Sequence, residues 1–155
     1  MINIFLVEDN RFVADALDGL LNTYDDLQLV GVARSGEEAL AQLPLMGVDI
    51  VLIDLALPGM SGIDVIVALR QQQPGLPCAI LSAHREDSYI TQALSAGARG
   101  YITKELPLAI AEGIERVLAG EVYLSPDLVR QRPVAGPPYS LKPSGTAASA
   151  SSGNT

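Results

Sequence analysis

Five polar side chains stand where apolar runs of this chain end. Glu8 and Asp9 follow INIFLV, Asp54 closes IVLID, Ser82 closes PCAILS, and Lys104 follows GYIT. Three carboxylates brought together repel and push one another's pKa values up, and a hard divalent cation removes that cost. Mg²⁺ takes oxygen ligands in an octahedral shell and usually keeps some waters. Asp9 and Asp54, with Glu8 beside them or acting through water, meet that demand. Lys104 would attract an anion rather than a metal, and the Ser82 hydroxyl can donate to a phosphoryl oxygen. Metal, ammonium and hydroxyl around one carboxylate make a site for an aspartyl phosphate. Asp54 would be the nucleophile, and the others would stabilise charge on the transferred group. Taken singly, each residue also has an ordinary role. Glu8 and Asp9 can cap a helix, Asp54 can be a turn residue before Pro58, Ser82 can cap the next helix, and Lys104 with Glu105 can be a solvated pair. Their shared position at the ends of apolar runs favours the site.

These residues meet only if the intervening elements carry them to one place. INIFLV (residues 2–7) reads as a buried strand, as do 27–33, 49–54, 77–82 and 100–103. Between them the apolar residues recur at helical spacing. Phe12, Val13, Ala16, Leu17, Leu20 and Leu21 predict a helix over 10–21 with Asn10 as its N-cap. Ser35 opens a second helix with Glu38 as its capping-box partner. Ser61 opens a third over 63–71, a fourth covers 87–96, and Pro107 starts a fifth over 108–118. Strands apolar at nearly every position are covered on both faces. Strand and helix in alternation build a parallel sheet with helices on both sides, an α/β doubly wound fold. Ligands of such sheets bind beyond the carboxyl ends of the strands, where all five polar residues fall. Gly59 and Gly62 let the chain turn away after Asp54 and leave it open.

Composition narrows the function. The formal net charge of −8 does not suit non-specific nucleic-acid binding, which draws on Lys and Arg. One cysteine, Cys78, forms no internal disulfide. The N-terminus lacks the basic region of a signal peptide, and no apolar run approaches the ~18 residues of a spanning helix, so a cytoplasmic protein without a membrane segment is expected. Residues 133–155 are mostly Pro, Gly, Ser, Ala and Thr with one charge, Lys142, and are expected to be a disordered linker or tail.

The motifs VEDN (7–10), LIDLALPGMSG (52–62), ILSAH (80–84) and GARGYITKE (97–105), in that order, resemble the receiver domain of bacterial response regulators over roughly residues 1–118. The resemblance implies a flavodoxin-like sheet of five strands in the order 2-1-3-4-5 with five helices. It implies phosphoryl transfer to Asp54 from a sensor histidine kinase or phosphotransfer protein. Glu8, Asp9, Asp54 and the backbone carbonyl of Ala56 would hold Mg²⁺, and Lys104 would contact the phosphate. Ser82 would be the switch hydroxyl and Tyr101 the switch aromatic, its ring moving inward as the hydroxyl is drawn to the phosphate. Ala56 and His84 occupy positions where the family tunes phosphate lifetime. The readout surface, and a homodimer contact, would be the face of the fourth helix, fifth strand and fifth helix. Such a protein catalyses only its own phosphorylation and dephosphorylation.

Residues 119–131, AGEVYLSPDLVRQ, resemble the junction that precedes a LuxR-type helix-turn-helix output domain, with a short helix over 127–131. The expected division is a receiver over 1–120, a junction over 121–132 and a tail over 133–155. The parent would be a transcription regulator, but these residues hold no basic recognition helix, so this chain alone is not expected to bind DNA. Two other functions remain. A haloacid dehalogenase-type phosphatase also uses a strand-end Asp, Mg²⁺ and a Lys, but needs an acid two residues after the nucleophile, where this chain has Ala56. A degenerate receiver would bind a partner without phosphorylation, and the complete set of site residues argues against it.

Overall fold

The structure is a computed structural model and describes residues 1–130. The apolar runs become strands β1 (Ile2–Val7), β2 (Leu27–Ala33), β3 (Ile50–Asp54), β4 (Cys78–Ser82) and β5 (Gly100–Thr103), and a further strand, β6 (Tyr123–Leu124), follows. The helices are α1 (Arg11–Leu21), α2 (Gly36–Gln42), α3 (Gly62–Gln72), α4 (Asp87–Ala96), α5 (Ala109–Leu118) and α6 (Pro126–Arg130). Every strand pairing is parallel, and the sheet order is β2-β1-β3-β4-β5-β6.

Alternation along the strands fills two cores. Ile4, Leu6, Ile50, Leu52, Ala79 and Leu81 face α1 and α5. Their neighbours Phe5, Val7, Val51, Ile53 and Ile80 face α2, α3 and α4. Both faces are dry, so the central strands need apolar residues at successive positions. Caps fix where the helices begin. Asn10 accepts from the N–H groups of Phe12 and Val13, and Ser61 and Asp64 form a reciprocal capping box.

The structure corrects four expectations. Among the described residues the sheet has six strands and the chain six α-helices, rather than five of each. β6 continues the sheet past β5 because Tyr123 N–H donates to the Arg99 carbonyl and Ser125 N–H to that of Tyr101. At α2 the capping box is only half formed: Glu38 N–H donates to Ser35 Oγ, but the Glu38 carboxylate turns back to Arg34 N–H. α5 starts at Ala109, because residues 106–108 are spent in a turn that Ala109 N–H closes by donating to the Leu106 carbonyl.

The short helix after the junction is present as α6 and starts one residue early, at Pro126. A helix of five residues cannot stand alone. Leu128 is fully buried in the core that holds Tyr101 and Ile90, a burial worth about 1.5–3 kcal/mol. β6 and α6 therefore lie along β5, on the face expected to form a homodimer. The expected tail, 133–155, and Gln131 lie outside the described residues.

Candidate functional site

Strand register assembles the site. Val7 pairs with Ile53, which puts Glu8 level with Asp54. Asp54 pairs with Leu81, and Ser82 pairs with Thr103, so Ser82 and Lys104 each project one residue beyond the strand before. Neighbouring strands lie about 4.8 Å apart, close enough for one ligand to span them. Carboxylate oxygens of Glu8, Asp9 and Asp54 fall within 4.8 Å of one another.

Glu8 and Asp54 are both buried. Asp54 Oδ1 accepts from the Ala56 N–H at 3.2 Å, and Asp54 Oδ2 lies 3.2 Å from Lys104 Nζ. Glu8 Oε2 accepts from the Asn10 N–H at 3.1 Å. Lys104 Nζ lies 2.9 Å from Glu8 Oε1, an ion pair on a buried carboxylate. Burial pushes the Asp54 carboxyl up to about 6; Lys104 opposes the rise and Glu8 adds to it. Burial alone would loosen the Lys104 proton, but the two carboxylates outweigh it and raise its pKa. The site is rich in negative charge, and one ammonium bridges two of its three acids.

The loop after Asp54 needs its glycines. Gly59 has φ +73°, which favours glycine. A Cβ on Gly62 would meet the Asp54 carbonyl oxygen at 2.4 Å. Ser82 and Tyr101 are linked through His84. Ser82 Oγ accepts from the His84 N–H at 2.9 Å, and the Tyr101 hydroxyl donates to the His84 carbonyl at 2.8 Å. The Tyr101 ring is fully buried. The His84 imidazole itself stacks at 4.7 Å on Tyr89, so at this site the residue works through its backbone.

The family model for the response regulator receiver domain matches residues 4–117. The chain belongs to the response regulator receiver family. It is 36 % identical to response regulator GacA of Pseudomonas viridiflava over 84 % of this chain and 62 % of that protein. It is also 36 % identical to the transcriptional regulatory protein UhpA of Salmonella typhimurium, over 83 % of this chain and 64 % of that one. A LuxR-family two-component response regulator from Aurantimonas superposes with a TM-score of 0.79 at 32 % identity, covering 83 % of this chain and 92 % of that one. The receiver thus spans under two thirds of the curated relatives' length. Among the described residues no helix is long and apolar enough to cross a membrane.

The receiver fold brings Glu8, Asp9, Asp54 and Lys104 into one cluster, and Ala56 joins it through its N–H. Ser82 and Tyr101 form a second group with the His84 backbone. A third group escapes sequence reading. Arg85, Glu105, Thr103 and Asp127 are linked side chain to side chain. Only SPD at 125–127, legible as a helix cap, pointed toward it.

Proposed function

We propose that this receiver takes a phosphoryl group on Asp54 from the phosphohistidine of a sensor histidine kinase or phosphotransfer protein. The observation that carries the reading is one buried carboxylate, fixed at the end of β3, with an ammonium 3.2 Å away and two further acids beside it. An Asp54 oxygen forms the new P–O bond as the P–N bond of the phosphohistidine breaks, and the imidazole leaves with the electron pair. Lys104 stays on Asp54's side of the transfer and holds charge on the phosphoryl oxygens. The Ser82 hydroxyl donates to another of them. Such positioned charge supplies most of the catalysis of phosphoryl transfer.

The donor set fits Mg²⁺: all its ligands would be oxygens, and carboxylate oxygens of Glu8, Asp9 and Asp54 lie within 4.8 Å of one another. Glu8, Asp9, Asp54 and the Ala56 carbonyl would hold the ion, and when bound it would supply positive charge between the carboxylates and the phosphoryl group. Ala56 is small and exposed, and leaves water a path to the acyl phosphate. It also supplies no acid two residues after the nucleophile, which disfavours the phosphatase reading.

The chain acts on no substrate beyond its own phosphorylation and loss of phosphate. Residues 1–120 form the receiver and 121–132 the junction toward an output module, with 133–155 as linker. The parent protein regulates transcription in the cytoplasm, and this chain alone does not bind DNA. A homodimer through α4, β5 and α5 has to include or displace β6 and α6.

Intact-mass analysis after incubation with acetyl phosphate tests the reading. A Mg²⁺-dependent gain of about 80 Da, one phosphoryl group, lost in Asp54→Asn, supports it. No adduct on the wild type, and no binding of beryllofluoride, would leave a degenerate receiver.

A further inference from the structure

Arg85 joins three parts of the molecule. Its Nη1 lies 2.8 Å from Glu105 Oε1 and 2.8 Å from Asp127 Oδ2, and Nη2 donates to the Asp127 carbonyl at 3.2 Å. Thr103 Oγ1 also donates to Asp127 Oδ2, and Thr103 N–H donates to Ser125 Oγ at 3.2 Å. Asp127 is largely shielded from solvent. Burial works against its charge, but hydrogen bonds from Thr103, Ser125 and Arg85 outweigh it and hold the carboxyl down at about 2. Charge-assisted bonds in such a place are stronger than exposed pairs.

Both groups that would contact a phosphoryl on Asp54 lead to this guanidinium. Arg85 follows Ser82 by one short loop, whose His84 is bonded to both Ser82 and Tyr101. Glu105 is the residue after Lys104. The sheet order sets the direction of any pull: Asp54 is on β3, Arg85 follows β4, and α6 packs beyond them against β5. A phosphoryl group on Asp54 that draws Ser82 toward it would draw the loop after β4, and Arg85 with it, away from α6. The added charge of about −1.5 to −2 draws the guanidinium the same way.

We propose that the Arg85–Asp127 clasp is a latch on α6, closed in the conformation seen here and opened by phosphorylation of Asp54. The latch rests on the phosphoacceptor reading. Opening it frees the helix that leads into residues 131–155. It is a two-state element of the kind that coupling between sites requires, since a ligand shifts such an equilibrium only by its unequal affinity for the two states.

Hydrogen–deuterium exchange on the full chain, with Mg²⁺ and with or without beryllofluoride, tests it in two windows. Residues 55–61 report the site and residues 123–130 report the latch. Beryllofluoride is expected to slow exchange in the first window and speed it in the second, by on the order of tenfold. In Asp127→Asn and in Arg85→Gln the second window exchanges fast from the start and no longer responds. By reciprocity Asp127→Asn also binds beryllofluoride more tightly, by a similar factor of on the order of ten. A clasp that merely holds α6 in place leaves that affinity unchanged, and that result overturns the latch. So does a wild type whose first window responds while the second is unchanged or slowed; the phosphoacceptor reading then stands. Silence in both windows with no phosphoryl adduct overturns both.

Discussion

Replacing Asp54 by its neutral isostere is expected to stabilise the metal-free protein. Burial, opposed by Lys104 and aided by Glu8, holds Asp54 at about 6 against an ordinary 3.8. Between those two values the folded chain keeps a proton that the unfolded chain has released. Linkage then makes stability fall as pH rises through that window. At about 1.4 kcal/mol per pKa unit the ionised Asp54 costs about 3 kcal/mol at pH near 7.5. Asp54→Asn removes the charge and keeps an oxygen for the Ala56 N–H. It also takes one partner from Lys104, which retains Glu8, 2.9 Å away. The net gain is therefore about 1–3 kcal/mol, a large share of a marginal stability. Urea unfolding with EDTA is the assay, on both proteins near pH 7.5 and near pH 4. The gain should appear at the higher pH and shrink toward zero at the lower, where folded wild type is already protonated. Saturating Mg²⁺ should stabilise the wild type more and narrow the gap. No gain near pH 7.5, or the same gain at both pH values, would refute the electrostatic account. The second outcome would point to packing.

Further substitutions at four positions probe the frame of the site. Gly62→Ala forces a methyl to 2.4 Å from the Asp54 carbonyl oxygen, whereas Gly19→Ala in α1 meets nothing within 4 Å. Urea midpoints should show Gly62→Ala losing about 1–3 kcal/mol and Gly19→Ala gaining about 1 kcal/mol. Lys104→Met leaves Glu8 and Asp54 facing each other without their ammonium. Isothermal titration should show Mg²⁺ binding kept or tightened, while phosphoryl uptake by intact mass slows by roughly a hundredfold, the loss of one charge-stabilising donor. Tyr101→Phe removes the hydroxyl that donates to the His84 carbonyl and keeps the buried ring. Its unfolding should cost only about 1 kcal/mol, and Tyr101→Ala about 3–5 kcal/mol, both read from urea midpoints.

The parts of this fold that were legible in the sequence are those where one physical signal acts alone. β1, β2, β5 and α4 keep their expected limits because each apolar or periodic run stops at a polar residue, a glycine or a cap. The site was legible for the same reason, since Glu8, Asp54, Ser82 and Lys104 mark strand ends. β6 was not, because two residues carry no periodicity and Tyr123–Leu124 is a strand only by pairing with β5. The start of α5 was not, because Pro107 suits a first helical position but the chain there is still completing a turn. The Arg85–Asp127 pair lies 42 residues apart in sequence, and without β6 nothing brings its partners together. His84 shows the same limit from another side: the side chain draws attention, while the backbone makes the contacts.

The same register explains why the site tolerates its own charge. Parallel strands deliver Glu8 and Asp54 to the same level, one strand apart, and neither can move off without breaking the sheet. Left alone, the pair with Asp9 would repel. Lys104 sits between Glu8 and Asp54 and cancels one charge of three, leaving a formal −2 at the cluster, the charge that a divalent cation neutralises. The ammonium thus stands on oxygens that an ion would also use, so metal binding and Lys104 position are coupled. A phosphoryl group on Asp54 restores negative charge and gives Lys104 a better partner than either carboxylate. Any shift of Lys104 carries Glu105, and Glu105 holds Arg85. Under the proposed latch, the electrostatic frustration that makes Asp54 costly to the fold would also let a charge placed there be felt at α6.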